Sequence, residues 1–173
     1  MPNHVINKIK FKGLKPEDKE FILNTITRET ADNPFAIDFD KIIPEPRTIE
    51  DCDDDCIVNK DSHVELDDDR PWFDWYNWRV RHWGTKWGAY DCITHVGKTQ
   101  IIFEFQTAWC PPIPIIQKLP LLGYDFEHRY ADEALGSNCG MIRYEHKSRE
   151  FQDEKDELSI PNARAWARRL WGY

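Results

Sequence analysis

The residues best suited to binding chemistry lie where the sequence WGTKW begins at Trp83, because two indoles there flank a glycine and a cation. Trp83 and Trp87 could stack on a flat ligand, and Lys86 could meet an anionic group such as a phosphate. Arg79 and His82 add positive charge just before them. The competing interpretation is structural, since large apolar side chains and a glycine commonly close the corner between a helix and a strand.

Trp109 and Cys110 precede two prolines and form a second candidate. A nucleophilic thiolate needs a base and an orienting group, and no spacing singles out a partner among the six histidines. We therefore expect Cys110 to lie in a packed turn, and we assign Trp109 to the binding corner. No catalytic residue is predicted, which favours a non-enzymatic protein.

The stretch Glu50–Asp69 is strongly acidic, with ten Asp or Glu residues against Lys60 alone. Alternating aspartates match the start of a calcium loop, but Cys56 stands at the glycine position and Ser62 at the bidentate glutamate position. The stretch instead predicts a solvated insertion, residues 46–70, whose carboxylates could imitate nucleic-acid phosphates toward a protein partner. The aspartates assigned to this acidic partner-binding loop are Asp51, Asp53, Asp54, Asp55, Asp67, Asp68 and Asp69.

Composition limits the classes of function. The five cysteines are scattered without a C-x-x-C pair, so we expect reduced thiols, no metal and no cofactor. The net charge of -8 disfavours a nucleic-acid partner. Because no segment has the roughly 20 apolar residues of a membrane span and the start lacks a signal peptide, a cytoplasmic protein without a membrane partner is expected. The oligomeric state is left open.

Hydrophobic periodicity predicts the elements that position these residues. Alternating apolar residues predict strands at His4–Phe11, Asp91–Val96, Thr99–Trp109, Tyr124–Tyr130 and Gly140–His146, and a short β-branched run predicts another at Phe35–Ile43. Helices are predicted from Pro16 to Thr30, from Trp72 to Trp83, from Pro114 to Leu119 and from Pro161 onward. On the second helix, one stripe is formed by Trp72, Trp75, Tyr76, Val80 and Trp83. Trp78 and Phe73 lie off that stripe, so this helix is aromatic on more than one side.

Several segments resemble the YubB-like family of phage and conjugative-plasmid proteins. They are MPNHV at the start, WGTKW from Trp83 and FQTAWCPP from Phe105, followed by Tyr130 and Gly140. The resemblance covers roughly Met1 to His146. It implies an α+β, ferredoxin-like domain, an antiparallel sheet with helices packed on one face.

The predicted organisation is one ferredoxin-like domain over residues 1–146, followed by a charged linker and a C-terminal helix over residues 147–173. We expect that helix to pack on the same domain, against the tryptophan-rich helix Trp72–Trp83. The other face of the sheet carries a mixture of charged residues without stacking rings, which again disfavours RNA binding.

Two functional hypotheses follow. The first is an accessory protein of a phage or plasmid that binds a host or phage protein, in one version as an acidic nucleic-acid mimic that inhibits a defence system. The alternative is the binding of a small anionic ligand or nucleotide at the corner between Trp83 and Trp87.

Overall fold

The computed structural model describes residues 3–47, 75–153 and 160–172. The strands are β1 (His4–Lys12), β2 (Thr27–Arg28), β3 (Ala36–Ile37), β4 (Tyr90–Val96), β5 (Gln100–Ala108), β6 (Phe126–Asp132), β7 (Cys139–Glu145) and β8 (Glu150–Asp153). The helices are α1 (Pro16–Ile26), α2 (Phe39–Ile42), α3 (Trp75–His82), α4 (Ile113–Lys118) and α5 (Ile160–Trp171), and a short 3-10 helix spans Leu119–Leu122.

Six strands form one antiparallel sheet in the order β4-β5-β1-β6-β7-β8. Along the chain, β1-α1-β4-β5-α4-β6 gives the βαββαβ arrangement of a ferredoxin-like domain, which confirms the predicted α+β fold class. The strands β7 and β8 extend the sheet beyond this unit, while β2 and β3 pair separately.

The hydrophobic core lies on the face of the sheet that α1, α2 and α4 cover, which we call the helical face. Alternate residues of β1 and β5, such as Ile9 and Phe103, are buried there, as the period-2 pattern predicts. The helices contribute Ile22, Phe39 and Ile115 to the same cluster. Because almost every large side chain on this face is apolar, its burial is the main stabilising term of the fold.

A row of aromatic rings crosses five neighbouring strands on this face. Phe103 meets Phe11 at a centroid distance of 6.3 Å, and Phe11 meets Phe126 at 5.7 Å. The row continues from Phe126 to Tyr144 at 5.6 Å and from Tyr144 to Phe151 at 5.0 Å. Cross-strand aromatic pairs of this kind fix the register of a sheet in addition to burying area.

The C-terminal helix α5 packs on β6 and β1, on the face opposite to the helical face. Its buried positions Ala163 and Ala167 let the helix approach the strands closely, and Trp171 Nε1 donates to the Asp132 carbonyl at 3.2 Å. The expectation that this helix packs against the Trp72–Trp83 helix is therefore wrong. Small residues on its stripe suit a sheet surface better than an aromatic helix.

Two local predictions also need correction. The strand predicted at Phe35–Ile43 is only two residues long, because Asp38 caps α2 by accepting from the Asp40 amide at 3.1 Å. The predicted strands leave Gly97 and Lys98 for the turn between β4 and β5, but the turn lies one residue later, since the Gly97 amide donates to the Gln100 carbonyl at 2.9 Å. Among the described helices, none has the length and apolar character that crossing a bilayer requires.

Candidate functional site

The predicted corner residues lie where the end of α3 and the segment leading to β4 meet the end of β5. We define the aromatic corner as Trp75, Tyr76, Lys86, Trp87 and Trp109. Lys86 Nζ lies 5.7 Å from the ring centroid of Tyr76, 5.2 Å from that of Trp87 and 5.4 Å from that of Trp109. The ammonium is therefore held among three rings by cation-π attraction.

The rings of the aromatic corner remain open to solvent. Trp75, Tyr76, Trp87 and Trp109 are each between 36% and 40% exposed, and neighbouring Val80 is exposed to a similar extent. Tyr76 contacts Trp75 at a centroid distance of 6.0 Å and Trp109 at 6.2 Å, both edge to face. These contacts make one continuous apolar surface rather than scattered exposed residues.

Part of the stripe on the tryptophan-rich helix contributes to this exposed surface. Three of its members, Trp75, Tyr76 and Val80, face outward, whereas Trp78 is buried although the periodicity placed it off the stripe. The periodic pattern found the helix but did not show which of its aromatic faces packs inward. Tyr76 was not among the predicted binding residues, so its place in the corner was missed.

The Arg79 side chain packs on the buried side of the aromatic corner. Its guanidinium lies 5.1 Å from the ring of Trp75 and 4.9 Å from that of Trp83, and it donates to both carboxylate oxygens of Glu45 at 2.8 and 2.7 Å. A bidentate ion pair enclosed by two indoles fixes the side chain firmly. Arg79 thus acts as a structural support in this arrangement.

Trp83 and His82 are also engaged in packing. Trp83 is buried, and its Nε1 donates to the Ile43 carbonyl at 2.9 Å. The His82 ring stacks on Trp78 at 4.4 Å, and its Nδ1 lies 2.9 Å from the Trp78 carbonyl. Of the six predicted corner residues, the structure brings Lys86, Trp87 and Trp109 together at the surface and places the other three in the support beneath.

Trp109 has a strained backbone. Its φ of 70° lies in the left-handed region, and the Cys110 amide donates to the Ala108 carbonyl at 2.9 Å, which makes a γ-turn centred on Trp109. Such a conformation is rare for a bulky residue and costs about 1–3 kcal/mol. The turn is held on both sides, since the Trp109 amide donates to the Asn3 carbonyl at 2.9 Å and Asn138 Nδ2 donates to the Trp109 carbonyl at 3.1 Å.

A series of buried hydrogen bonds holds the Trp109 turn from the interior of the protein. Thr107 Oγ1 donates to the Cys110 carbonyl at 2.8 Å and accepts from Asn7 Nδ2 at 2.9 Å. The Asn7 amide oxygen can only accept, so His128 donates to it from Nε2 across 3.0 Å. Buried hydrogen bonds of this kind position a turn firmly because breaking one leaves a polar group without water.

Two cavities lie near the corner. A groove of about 240 Å³ runs beside Arg79, and its other cations also face acidic partners, Arg28 facing Asp38 and Arg47 facing Asp40. A cavity of about 460 Å³ opens behind the Trp109 turn and is lined in part by Tyr130, Cys110 and Cys139. Within the described ranges, no group of three His, Cys, Asp or Glu residues is arranged to hold a metal ion.

The cysteine thiols that the structure describes are free, and two of them have raised pKa values. Burial raises the pKa of Cys92 to about 11, and burial also raises the pKa of Cys139. Since a thiolate is the nucleophilic form, neither shift assists nucleophilic chemistry. The acidic loop residues Asp51, Asp53, Asp54, Asp55, Asp67, Asp68 and Asp69 lie outside the described residues.

Comparison with known proteins supports the fold. Residues 83–169, half of the chain, match a family model described as "Ferredoxin-like domain in Api92-like protein". The match includes the C-terminal helix, which the resemblance seen in the sequence did not cover. Neither the search of curated proteins nor the search of solved structures finds a match. The chain belongs to the family of the ferredoxin-like domain in Api92-like proteins.

Proposed function

We propose that this protein binds another protein through the aromatic corner and carries out no catalysis of its own. The observation that carries the proposal is the continuous exposed surface of Trp75, Tyr76, Trp87 and Trp109. Tryptophan and tyrosine dominate the energy of protein interfaces because they bury large areas and lose little conformational freedom on binding.

The rigid support of the corner favours the same function. The strained turn of Trp109, the cation-π contacts of Lys86 and the bidentate pair of Arg79 all fix the rings before any partner arrives. A surface that is ordered in advance loses less entropy on association and therefore binds more tightly. Backbone strain that does not improve the core is typical of positions with a binding role.

The partner surface that fits this corner is apolar and carries an acidic side chain. The centre of the corner holds one cation, Lys86, which is only half-buried. A carboxylate of the partner would meet the Lys86 ammonium while apolar side chains of the partner cover the indoles.

The alternative of a small anionic ligand has less support at this corner. Arg79 is paired with Glu45, His82 is stacked on Trp78, and the Lys86 ammonium is shared by three rings. Since Arg79 and His82 are engaged by Glu45 and Trp78, Lys86 alone would face a phosphate, whereas phosphate sites ordinarily combine several donors. This alternative stays a prediction, which quenching of tryptophan fluorescence across a panel of nucleotides tests.

A purification with matched variants tests the proposed interface. The tagged wild type, the double variant Trp87→Ala/Trp109→Ala and the control Leu121→Ala are purified from bacterial cells, and bound proteins are identified by mass spectrometry. Leu121 is a suitable control because it is exposed and belongs to the short 3-10 helix rather than to the corner. We expect one protein bound in stoichiometric amount by the wild type and the control, and lost from the folded double variant. Equal recovery by all three proteins would reject the corner as the interface.

We also propose a biological setting for this interaction, a phage or conjugative plasmid, as the YubB-like resemblance implies. In that setting the acidic loop would imitate nucleic acid and inhibit a host defence protein. Replacing Asp53, Asp54, Asp67 and Asp68 with Asn, or adding salt, should then weaken the complex. A complex made only through the aromatic corner would lose little affinity in salt, so the two interfaces are distinguishable.

A further inference from the structure

The sheet face opposite to the helical face gathers cations from distant parts of the sequence. Lys10 and Lys12 lie on β1, Arg129 on β6 and Arg143 on β7, at positions that alternate with buried core residues. Lys10 pairs in register with Glu127, which also pairs with Arg143. With Arg169 of α5, these four cations form what we call the basic face.

The carboxylate of Glu127 forms ion pairs with three of these cations. Glu127 accepts from Arg129 Nε at 2.5 Å and from Arg143 Nε at 3.0 Å, and it lies 3.6 Å from Lys12 Nζ. Glu127 is only 5% exposed, whereas the three cationic side chains are between 40% and 54% exposed. The carboxylate therefore orders the cations from beneath, and within this cluster three positive charges stand against one negative charge.

The helix α5 extends this positive charge beyond the strands. The Arg129 guanidinium lies 5.0 Å above the ring of Trp166, which joins the strand cluster to α5. Arg169 is exposed and lies three residues after Trp166, on the same flank of the helix. The described part of α5 contains arginines but no acidic residue.

The net charge of the whole chain hides a difference in charge between two parts of the sequence. Residues 48–74 hold eleven Asp and Glu against two basic residues, Lys60 and Arg70. The residues that the structure describes hold 20 Lys and Arg against 17 Asp and Glu. The negative total therefore says little about the potential at the basic face, which decides what that face attracts.

We propose that the basic face binds the phosphodiester backbone of a nucleic acid. The half-exposed guanidinium and ammonium groups match the geometry and charge of phosphate oxygens. Contacts of this kind position a protein on a strand and give affinity without reading its sequence. The inference is independent of the aromatic corner, and it reverses the expectation drawn from net charge.

Fluorescence anisotropy with labelled probes tests this surface. The probes are a single-stranded DNA, a single-stranded RNA and a DNA duplex, each roughly 20 nucleotides long and of mixed sequence. We expect the wild type to bind at least one probe with an affinity that falls as salt rises. The variant Lys10→Gln/Lys12→Gln/Arg169→Gln should bind about tenfold more weakly at low salt, with a log-log salt slope smaller by about 2.

A charge-matched control separates this site from a general effect of net charge. The variant Lys15→Gln/Lys118→Gln/Lys147→Gln removes the same charge at exposed positions outside the strands, and it should change the affinity less than about twofold. Thermal melting verifies that both variants fold. Equal losses in the two variants, or no binding of any probe by the wild type, would overturn the proposal. The Trp87→Ala/Trp109→Ala variant should bind the probes normally, so this test and that of the aromatic corner can fail separately.

Discussion

The aromatic corner and the basic face use positive charge in opposite ways. At the corner, Arg79 and Lys86 lie close together in the sequence, yet rings and the Glu45 carboxylate surround them. On the basic face, Lys12 of β1, Arg129 of β6 and Arg143 of β7 share the carboxylate of Glu127. A cluster of cations in the sequence thus need not form an anion site, whereas cations from separate strands can gather at one place when the sheet order brings them together.

Removing the indole of Trp83, which supports the aromatic corner, should have the largest effect on stability. Trp83→Ala deletes a buried ring that packs on Phe39 and Trp78 and sandwiches Arg79, so we expect a loss of about 4 kcal/mol in unfolding free energy. Urea denaturation measures this loss. A loss below about 1 kcal/mol would show that Trp83 is not a structural support.

Removing the carboxylate of the basic face should have the second largest effect on stability. Glu127→Gln leaves Arg129, Arg143 and Lys12 without their shared counter-charge, and we expect a loss of about 1–2 kcal/mol at neutral pH because these cations stay half-exposed to water. Lys8→Gln at the half-exposed pair with Glu104 is the matched control and should cost under about 1 kcal/mol. Equal costs would contradict the central role of Glu127.

The same carboxylate predicts a pH dependence. Burial alone would raise the pKa of Glu127, but hydrogen bonds from Arg129 and Arg143 and the nearby charges of Arg129 and Lys12 outweigh it, so the pKa is lowered from its ordinary 4.5. A lowered pKa in the folded state contributes stability above the unfolded pKa and loses it as the pH falls through the folded pKa. The stability difference between the wild type and Glu127→Gln should therefore shrink as the pH falls below about 4.5.

The strain at Trp109 is tested by comparing two truncations. Trp109→Ala and Trp109→Gly both remove the ring, but only glycine adopts a φ of 70° without steric cost. We expect the glycine variant to be more stable than the alanine variant by about 1 kcal/mol in urea denaturation. Equal stability would mean that the turn relaxes once the ring is gone.

Lys86→Gln should have the smallest effect on stability. Its cation-π contacts are half-exposed and are worth about 0.5–1 kcal/mol, so the melting temperature should fall by only a few degrees. The same variant should weaken the proposed protein complex, because it removes the cation that faces the partner. A complex of unchanged affinity would contradict the acidic side chain assigned to the partner.

The sequence predicted the strands and helices better than it predicted how they pack and which surfaces they form. The strands β1 and β5 followed directly from alternation, because each has one buried face and one polar face. The short helix α2 was missed, since Phe39 and Ile42 are apolar residues that suit either structure and only the cap by Asp38 decides between them.

The two proposed binding surfaces could likewise be predicted only in part from the sequence. The sequence WGTKW indicated the position of the corner, but which indoles are exposed depends on how α3 packs beside Trp109 at the end of β5. The basic face has no local signature, because its members come from four elements that only the sheet order brings together. Periodicity describes one element at a time, and a site assembled from several elements lies beyond it.

The central position of β1 has a consequence for biosynthesis. This strand is synthesised before both of its neighbours, β5 and β6, which follow roughly a hundred residues later. At about 5–20 residues per second, the nascent chain carries an apolar strand with two unpaired edges for on the order of ten seconds. The central strand is therefore paired on both edges only after β6 has been synthesised, and during that interval β1 is a natural substrate for chaperones that hold unfolded chains.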